Sequence, residues 1–281
     1  MRTGRPIHKF DGMDVVLLVT IPPLLCPADL SEQEVALPSE LLPGAEASLH
    51  FLRGLFSTQE MSVVMAVASQ RGFLMHADST DKQPAYEHAI VRRGGIVDSE
   101  AWTATALGER LTECVLPVVR ERFSCPNCAL CSVFVRRYMP SERMAVGLHR
   151  DSMARVSLVI ELQRAGAHDR DGSGLFLRMR TGGEAGNGYA WPVLRPGDAL
   201  AHTFDLLHGV EIKCDSDSGT TSEQMGGAQN ATLCSRHSLV VWFHESASHC
   251  TEGADVEAQA DLLCRSASMG VPAGQARFAE L

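Results

Sequence analysis

The spacing of apolar residues changes character near residue 131. Before that point helical spacing dominates. Ser57 and Glu60 stand three apart, ahead of Met61, Val64, Met65 and Ala68, which predicts a capping box opening an amphipathic helix. A second helix is expected from about Asp98 to Phe123, with Trp102, Leu107, Leu111 and Val115 on one face and an interruption at Pro117. From Cys131 onwards the chain turns to short runs rich in Val, Leu, Ile and Phe, at 132–138, 155–162, 174–179, 199–204, 209–212 and 237–243. Turn-forming clusters at 169–174, 181–188 and 196–198 separate them. Many short strands at this spacing predict an antiparallel sandwich, jelly roll or barrel, and helices against one side make an α+β domain.

Three stretches stand apart. Residues 15–26 (VVLLVTIPPLLC) read as a buried strand ending at Pro22–Pro23, with an irregular Pro/Glu/Ser-rich stretch after it. Residues 215–232 are polar and without apolar period, so a loop is expected between two strands, and loop closure costs little extra with length. Beyond Ser246, Val256, Ala260 and Leu263 mark one amphipathic helix. The organisation predicted is an N-terminal segment over 1–48, a main domain over 49–245 and a tail over 246–281. The main domain divides into a helical lead-in at 49–130 and a β core at 131–245 with an inserted loop at 213–235.

Composition narrows the partners. Of 281 residues 45% are hydrophobic, enough for a substantial core. The formal net charge of −9 argues against nucleic acid as a partner. No apolar run reaches the roughly 18–20 residues of a membrane-spanning helix, so no membrane partner is expected. Nine cysteines, an odd number in a chain this long, favour free thiols and a reducing, cytoplasmic setting. A cleaved secretory signal stays open as the alternative, because Arg2, Arg5, His8 and Lys9 precede the apolar stretch, although Asp11, Asp14 and the two prolines speak against it. Asn230-Ala231-Thr232 fits the glycosylation pattern. Cys125, Cys128 and Cys131 are spaced like metal ligands but lack a fourth partner at matching spacing; Cys114 or a histidine can complete a zinc site, and thiols in a tight turn are the plainer reading.

The candidate chemistry begins at His149-Arg150-Asp151. Two residues apart on extended chain, imidazole and carboxylate point to the same side and can share a metal. His76-Ala77-Asp78 repeats the spacing, and context separates the two. Only His149 is followed by strands, then by His208-Gly209-Val210, then by Arg236-His237-Ser238-Leu239 running into Trp242. The His76–Asp78 pair is therefore read as a surface coincidence. His149, Asp151 and His208 would form a two-histidine, one-carboxylate facial triad, which leaves positions open on a non-haem iron. Arg236, at a strand start, can hold a carboxylate bidentately; Lys213 is a spare cation nearby.

With Arg137-Tyr138-Met139-Pro140, Leu148-His149-Arg150-Asp151, Gly172-Ser173-Gly174-Leu175-Phe176 and Arg195-Pro196-Gly197-Asp198-Ala199-Leu200 added in order, the stretch resembles a known catalytic domain. It is that of the Fe(II)- and 2-oxoglutarate-dependent dioxygenases, in particular the prolyl and lysyl hydroxylase-like group. The segment from His50 to Glu60 resembles the lead-in to that domain. The resemblance implies a double-stranded β-helix (jelly roll) with supporting N-terminal helices. It implies Fe(II) on His149, Asp151 and His208, with no catalytic side chain beyond the metal ligands. It places the cosubstrate 2-oxoglutarate between the metal and Arg236, with Tyr138 bonding it, and it allows ascorbate as a further requirement. His202 stands near enough in sequence to His208 to line the same pocket. The implied reaction splits O2, making succinate and CO2 and hydroxylating a protein or peptide side chain. Retention of Asp151 favours hydroxylation over halogenation, since related halogenases lack this carboxylate. Two alternatives are oxidative demethylation of nucleic-acid bases, disfavoured because Trp242 stands where those relatives carry a second arginine, and a non-catalytic binding protein on the same fold. The 28 residues from His208 to Arg236 exceed the spacing in most relatives, and the polar insertion accounts for the excess.

Overall fold

The computed structural model describes residues 49–78, 81, 83–140, 142–165, 173–179, 188–213 and 235–250. The strand expected at 15–26, most of the inserted loop with its glycosylation triplet, and the C-terminal helix lie outside the described residues.

Among the described residues the strands are β1 (Leu49–Leu52), β2 (Leu74–Ala77), β3 (Pro84–Arg92), β4 (Gly95–Ile96), β5 (Ala129–Tyr138) and β6 (Ala145–His149). There follow β7 (Val156–Ala165), β8 (Gly174–Met179), β9 (Gly188–Ala190), β10 (Ala199–Thr203), β11 (His208–Glu211) and β12 (Ser235–His244). They form two antiparallel sheets. The larger runs β1-β10-β7-β12-β5-β3-β2, with β4 on β3, and the smaller β6-β11-β8-β9. From β5 onwards the chain crosses between sheets at β6, β7, β8, β10, β11 and β12 in turn. That alternation is the winding of a double-stranded β-helix, the jelly roll expected from the sequence.

Side-chain alternation divides the core in two. On one face of the larger sheet Val135, Ile160, Leu239, Val241 and Phe243 pack against helical residues such as Met61, Val64, Leu107 and Leu111. Each such fully buried side chain contributes about 1.5–3 kcal/mol. Between the sheets a second cluster holds Tyr138, Val146, Leu175, Leu177, Leu200 and Val210. The even-numbered residues of β12, Arg236 and Ser238 among them, therefore face the inter-sheet space.

Helix α1 (Thr58–Arg71) begins with the expected capping box: Ser57 Oγ accepts the Glu60 N–H at 3.2 Å and the Glu60 carboxylate accepts the Ser57 N–H at 2.7 Å. The second helical segment differs from expectation. Helix α2 (Ser99–Thr103) is capped by Asp98, and the break falls at Ala106, whose φ is +53°. The run then resumes over 107–122, and the Leu116 N–H bonds Leu111 O in a wide turn just ahead of Pro117. Pro117 offers no N–H, so its missing bond is absorbed at the junction of two helical segments.

Three further expectations are corrected. The lead-in at 49–130 is not purely helical: β1 pairs with β10, and β2 to β4 extend the larger sheet. Runs this short, with few β-branched residues, carry little strand signal. The cysteine turn is not free thiol or zinc site: Cys125 is bonded to Cys128, Cys131 to Cys250, and Cys114 is also in a disulfide. Pairing of these five removes them from the argument for a reducing setting. Lastly, Asp78 is no surface coincidence. It is 3% exposed and pairs with Arg143 at 3.0 Å and Arg136 at 3.1 Å, so its role is a buried ion network, apart from the His149 pair.

The Arg195–Asp198 turn has a structural purpose. Asp198 accepts from the Gly54 N–H at 2.8 Å, the Arg195 N–H at 3.0 Å and Arg53 at 2.8 Å. Gly197 takes φ +90° where a Cβ would collide with the Phe56 carbonyl oxygen. The turn thereby locks β10 onto the start of the domain and fixes the strand that carries His202.

Candidate metal centre

His149 ends β6 and His208 begins β11, and the two are register partners. Gly209 permits this pairing, because a Cβ there would lie 2.8 Å from Val146 O and collide with the Phe176 ring. Asp151 follows in a turn closed by the Ala154 N–H on Asp151 O at 2.9 Å. The ligand atoms of His149, Asp151 and His208 lie within 4.8 Å of one another. The structure thus assembles all three metal ligands expected from the sequence.

His202 reaches the same point from β10 in the facing sheet. It is fully buried, and its Nε2 has no hydrogen-bond partner among the described residues. The Nε2 atoms of His149, His208 and His202 stand 3.5, 3.7 and 3.8 Å from Asp151 oxygens. Nδ1 of each ring sits on a backbone carbonyl: His149 on Gly147 O at 2.9 Å, His202 on Thr203 O at 2.9 Å, His208 on Leu206 O at 3.0 Å. Carbonyls only accept, so each Nδ1 carries a proton and each Nε2 faces the carboxylate. His202 nevertheless falls outside the 4.8 Å set.

Burial pushes His208 down to about 3 and also lowers His202, against the pull of Asp151 in both cases. At His149 burial is outweighed by the hydrogen bond and charge of Asp151, and the group is raised. Burial alone would raise Asp151, but the surrounding His208, His149 and His202 hold it well below the usual carboxylate range. His202 and His208, kept neutral by burial beside an ionised carboxylate, suit a divalent cation. The donor set is that of non-haem Fe(II) oxygenases, two histidines and one carboxylate.

Arg236 and Tyr138 are register partners on β12 and β5, with the guanidinium 5.8 Å from the Tyr138 ring centroid. Both are buried. On the same strand Trp242 stands level with Ser157 and, through it, with His202, so Arg236 lies six residues along from the metal ligands' level. The expected cation is in the inter-sheet space, but it is not awaiting an anion. Its Nε donates to Glu161 Oε2 at 3.0 Å, and Nη2 lies 2.9 Å from the same oxygen. Lys213, the spare cation, is half exposed beside Glu211 at 3.8 Å.

Glu161 was not singled out in the sequence. A faint signal exists: it interrupts the apolar run Val156–Leu162 at a position whose parity faces inwards, where an acid needs a partner. His237 and His244 are buried on β12, and burial lowers both to about 4.

No family model and no curated protein matches the sequence. Several solved structures are similar. One is an oxidoreductase of the 2OG-Fe(II) oxygenase family from Burkholderia pseudomallei, 16% identical over 71% of this chain and 86% of that one, TM-score 0.48. Another is SnoN, a non-haem α-ketoglutarate-dependent epimerase from nogalamycin biosynthesis, 11% identical over 69% and 76%, TM-score 0.47. A prolyl-4-hydroxylase from Pseudomonas putida is 13% identical over 71% and 93%, TM-score 0.41. The chemistries named for these proteins differ, and the assignment of this chain rests on its own strand order and ligand set.

Proposed function

We propose that the protein is an Fe(II)- and 2-oxoglutarate-dependent oxygenase that hydroxylates a protein or peptide side chain, in the manner of prolyl hydroxylases. The carrying observation is the convergence of His149, Asp151 and His208 at one end of a double-stranded β-helix, each histidine oriented by a backbone carbonyl. When bound, Fe(II) supplies the activation of O2 that couples oxidation of 2-oxoglutarate to hydroxylation of a C–H bond.

The chain's own part is ligation, orientation and exclusion of water. His149, Asp151 and His208 hold the metal on one face. His202 and Tyr138 line the pocket for the keto acid, and Arg236 is the cation nearest its far end. Asp151 occupies the position that a halide would need, which supports hydroxylation. The net charge of −9 and the presence of Trp242 six residues after Arg236 support a peptide over a nucleic acid. No described residue speaks for ascorbate.

The test is succinate formation from 2-oxoglutarate with Fe(II) under O2, with proline- and lysine-containing peptides scored for a mass gain of one oxygen. Succinate that depends on Fe(II), with a hydroxylated peptide, supports the proposal. No succinate together with no keto-acid binding sinks it.

A further inference from the structure

The cation expected to meet the cosubstrate already has a carboxylate of its own. Arg236 is fully buried and the Glu161 side chain is 1% exposed. Two guanidinium nitrogens of Arg236 lie 2.9 and 3.0 Å from one Glu161 oxygen, while Nη1 has no hydrogen-bond partner among the described residues. The pair therefore brings no net charge to this part of the inter-sheet space, yet it keeps one donor directed away from the pairing.

Glu161 has no easy way out. It sits in β7 between β10 and β12, its N–H on Asp198 O at 3.0 Å and its carbonyl accepting the Gly197 N–H at 2.8 Å. The Asp198 turn is in turn anchored to Arg53 and Gly54. Backbone movement would thus disturb the whole anchor of β10. An arriving carboxylate would share a buried guanidinium with a second carboxylate, and like charges in so small a space disfavour each other strongly.

We propose that Glu161 is the specificity-determining residue of the keto-acid pocket: by neutralising Arg236 it removes the preference for a charged distal end. The pocket then takes 2-oxo acids with an uncharged, hydrogen-bonding distal group as readily as it takes 2-oxoglutarate itself. The spare Nη1 donor serves either group, because a neutral carbonyl oxygen accepts as a carboxylate does. This inference rests on the keto-acid-dependent reading of the metal centre, and its test separates the two.

The experiment is anaerobic calorimetry on the Fe(II)-loaded protein with two probes, 2-oxoglutarate and its 5-methyl ester, which lacks the distal charge. Wild type should bind the two within about threefold of each other, whereas Glu161→Gln should tighten 2-oxoglutarate about tenfold or more and leave the ester little changed. Gln keeps the shape and a hydrogen bond to Arg236 while removing the charge, and should the variant not fold, the wild-type ratio decides alone. A wild-type preference of tenfold or more for 2-oxoglutarate, unaltered in Glu161→Gln, overturns the proposal while leaving the oxygenase reading intact. Binding of neither probe to wild type overturns both.

Discussion

At one level of the inter-sheet space His149, His202 and His208 turn acceptor nitrogens towards Asp151; six residues along β12, Arg236 turns donors towards Glu161. Both groups are buried and both are built on rigid strands. They differ in what completes them. The ion pair balances its charge inside the chain, so it contributes to the fold as it stands. The imidazole cluster gathers nitrogen and carboxylate donors at one point, an arrangement that a bound cation completes. A buried polar group thus marks a ligand site when several donors converge on one point, and a structural element when its partner carries the opposite charge.

Substitutions should break this comparison in opposite ways. The largest effect is expected at the ion pair. Arg236→Ala should cost about 3–5 kcal/mol in chemical denaturation because Glu161 is left buried and uncompensated. The double change Arg236→Met with Glu161→Leu should recover most of that loss, since an apolar pair of similar volume avoids the desolvation cost. Loss of activity in Arg236→Ala therefore reports stability as well as cosubstrate binding, and unfolding curves must accompany it.

Asp151→Ala should act the other way round. It should weaken metal binding by on the order of 100-fold or more, judged from the 10- to 100-fold typical of outer partners, and leave the metal-free protein nearly as stable as wild type. Equilibrium dialysis and melting of the metal-free protein read the two halves of that statement. His202→Ala should be milder, with about a tenfold loss of metal or keto-acid affinity, because His202 faces the cluster without belonging to the 4.8 Å set.

The smallest effect is a pH slope. His237 and His244 are lowered to about 4 in the folded chain, below their usual value near 6.5. The unfolded chain thus binds protons first, and the stability held above about pH 6.5 drains away as pH falls towards 4. His237→Gln should flatten the fall of the melting temperature over that range.

How far the sequence reached follows the same division. The triad was legible because His149 and Asp151 are local on extended chain and His208 follows in a recognisable order. The capping box at Ser57 was legible for the same reason. Six core strands announced themselves by apolar runs, whereas β1 to β4, β6 and β9 did not, since they are short or mixed and are held by pairing with other strands. The partner of Arg236 lies 75 residues away, and no local period encodes such a pairing. The disulfides were missed on parity: an odd count argues for one unpaired thiol, and it was wrongly extended to the rest. Asp78 was set aside because no strand array or further ligand follows it, whereas its burial depends on Arg136 and Arg143, which fold over it from β5 and the turn beyond.

The central claim is that the imidazole–carboxylate cluster is incomplete without a divalent cation. Its most direct test is the melting temperature of the protein with and without Fe(II) under anaerobic conditions, in wild type and in Asp151→Ala. Stabilisation of wild type by about 3–4 kcal/mol at a metal concentration several hundred times the dissociation constant, absent from Asp151→Ala, is the predicted result. An Fe(II)-induced shift of the same size in both proteins, or in neither, would contradict it.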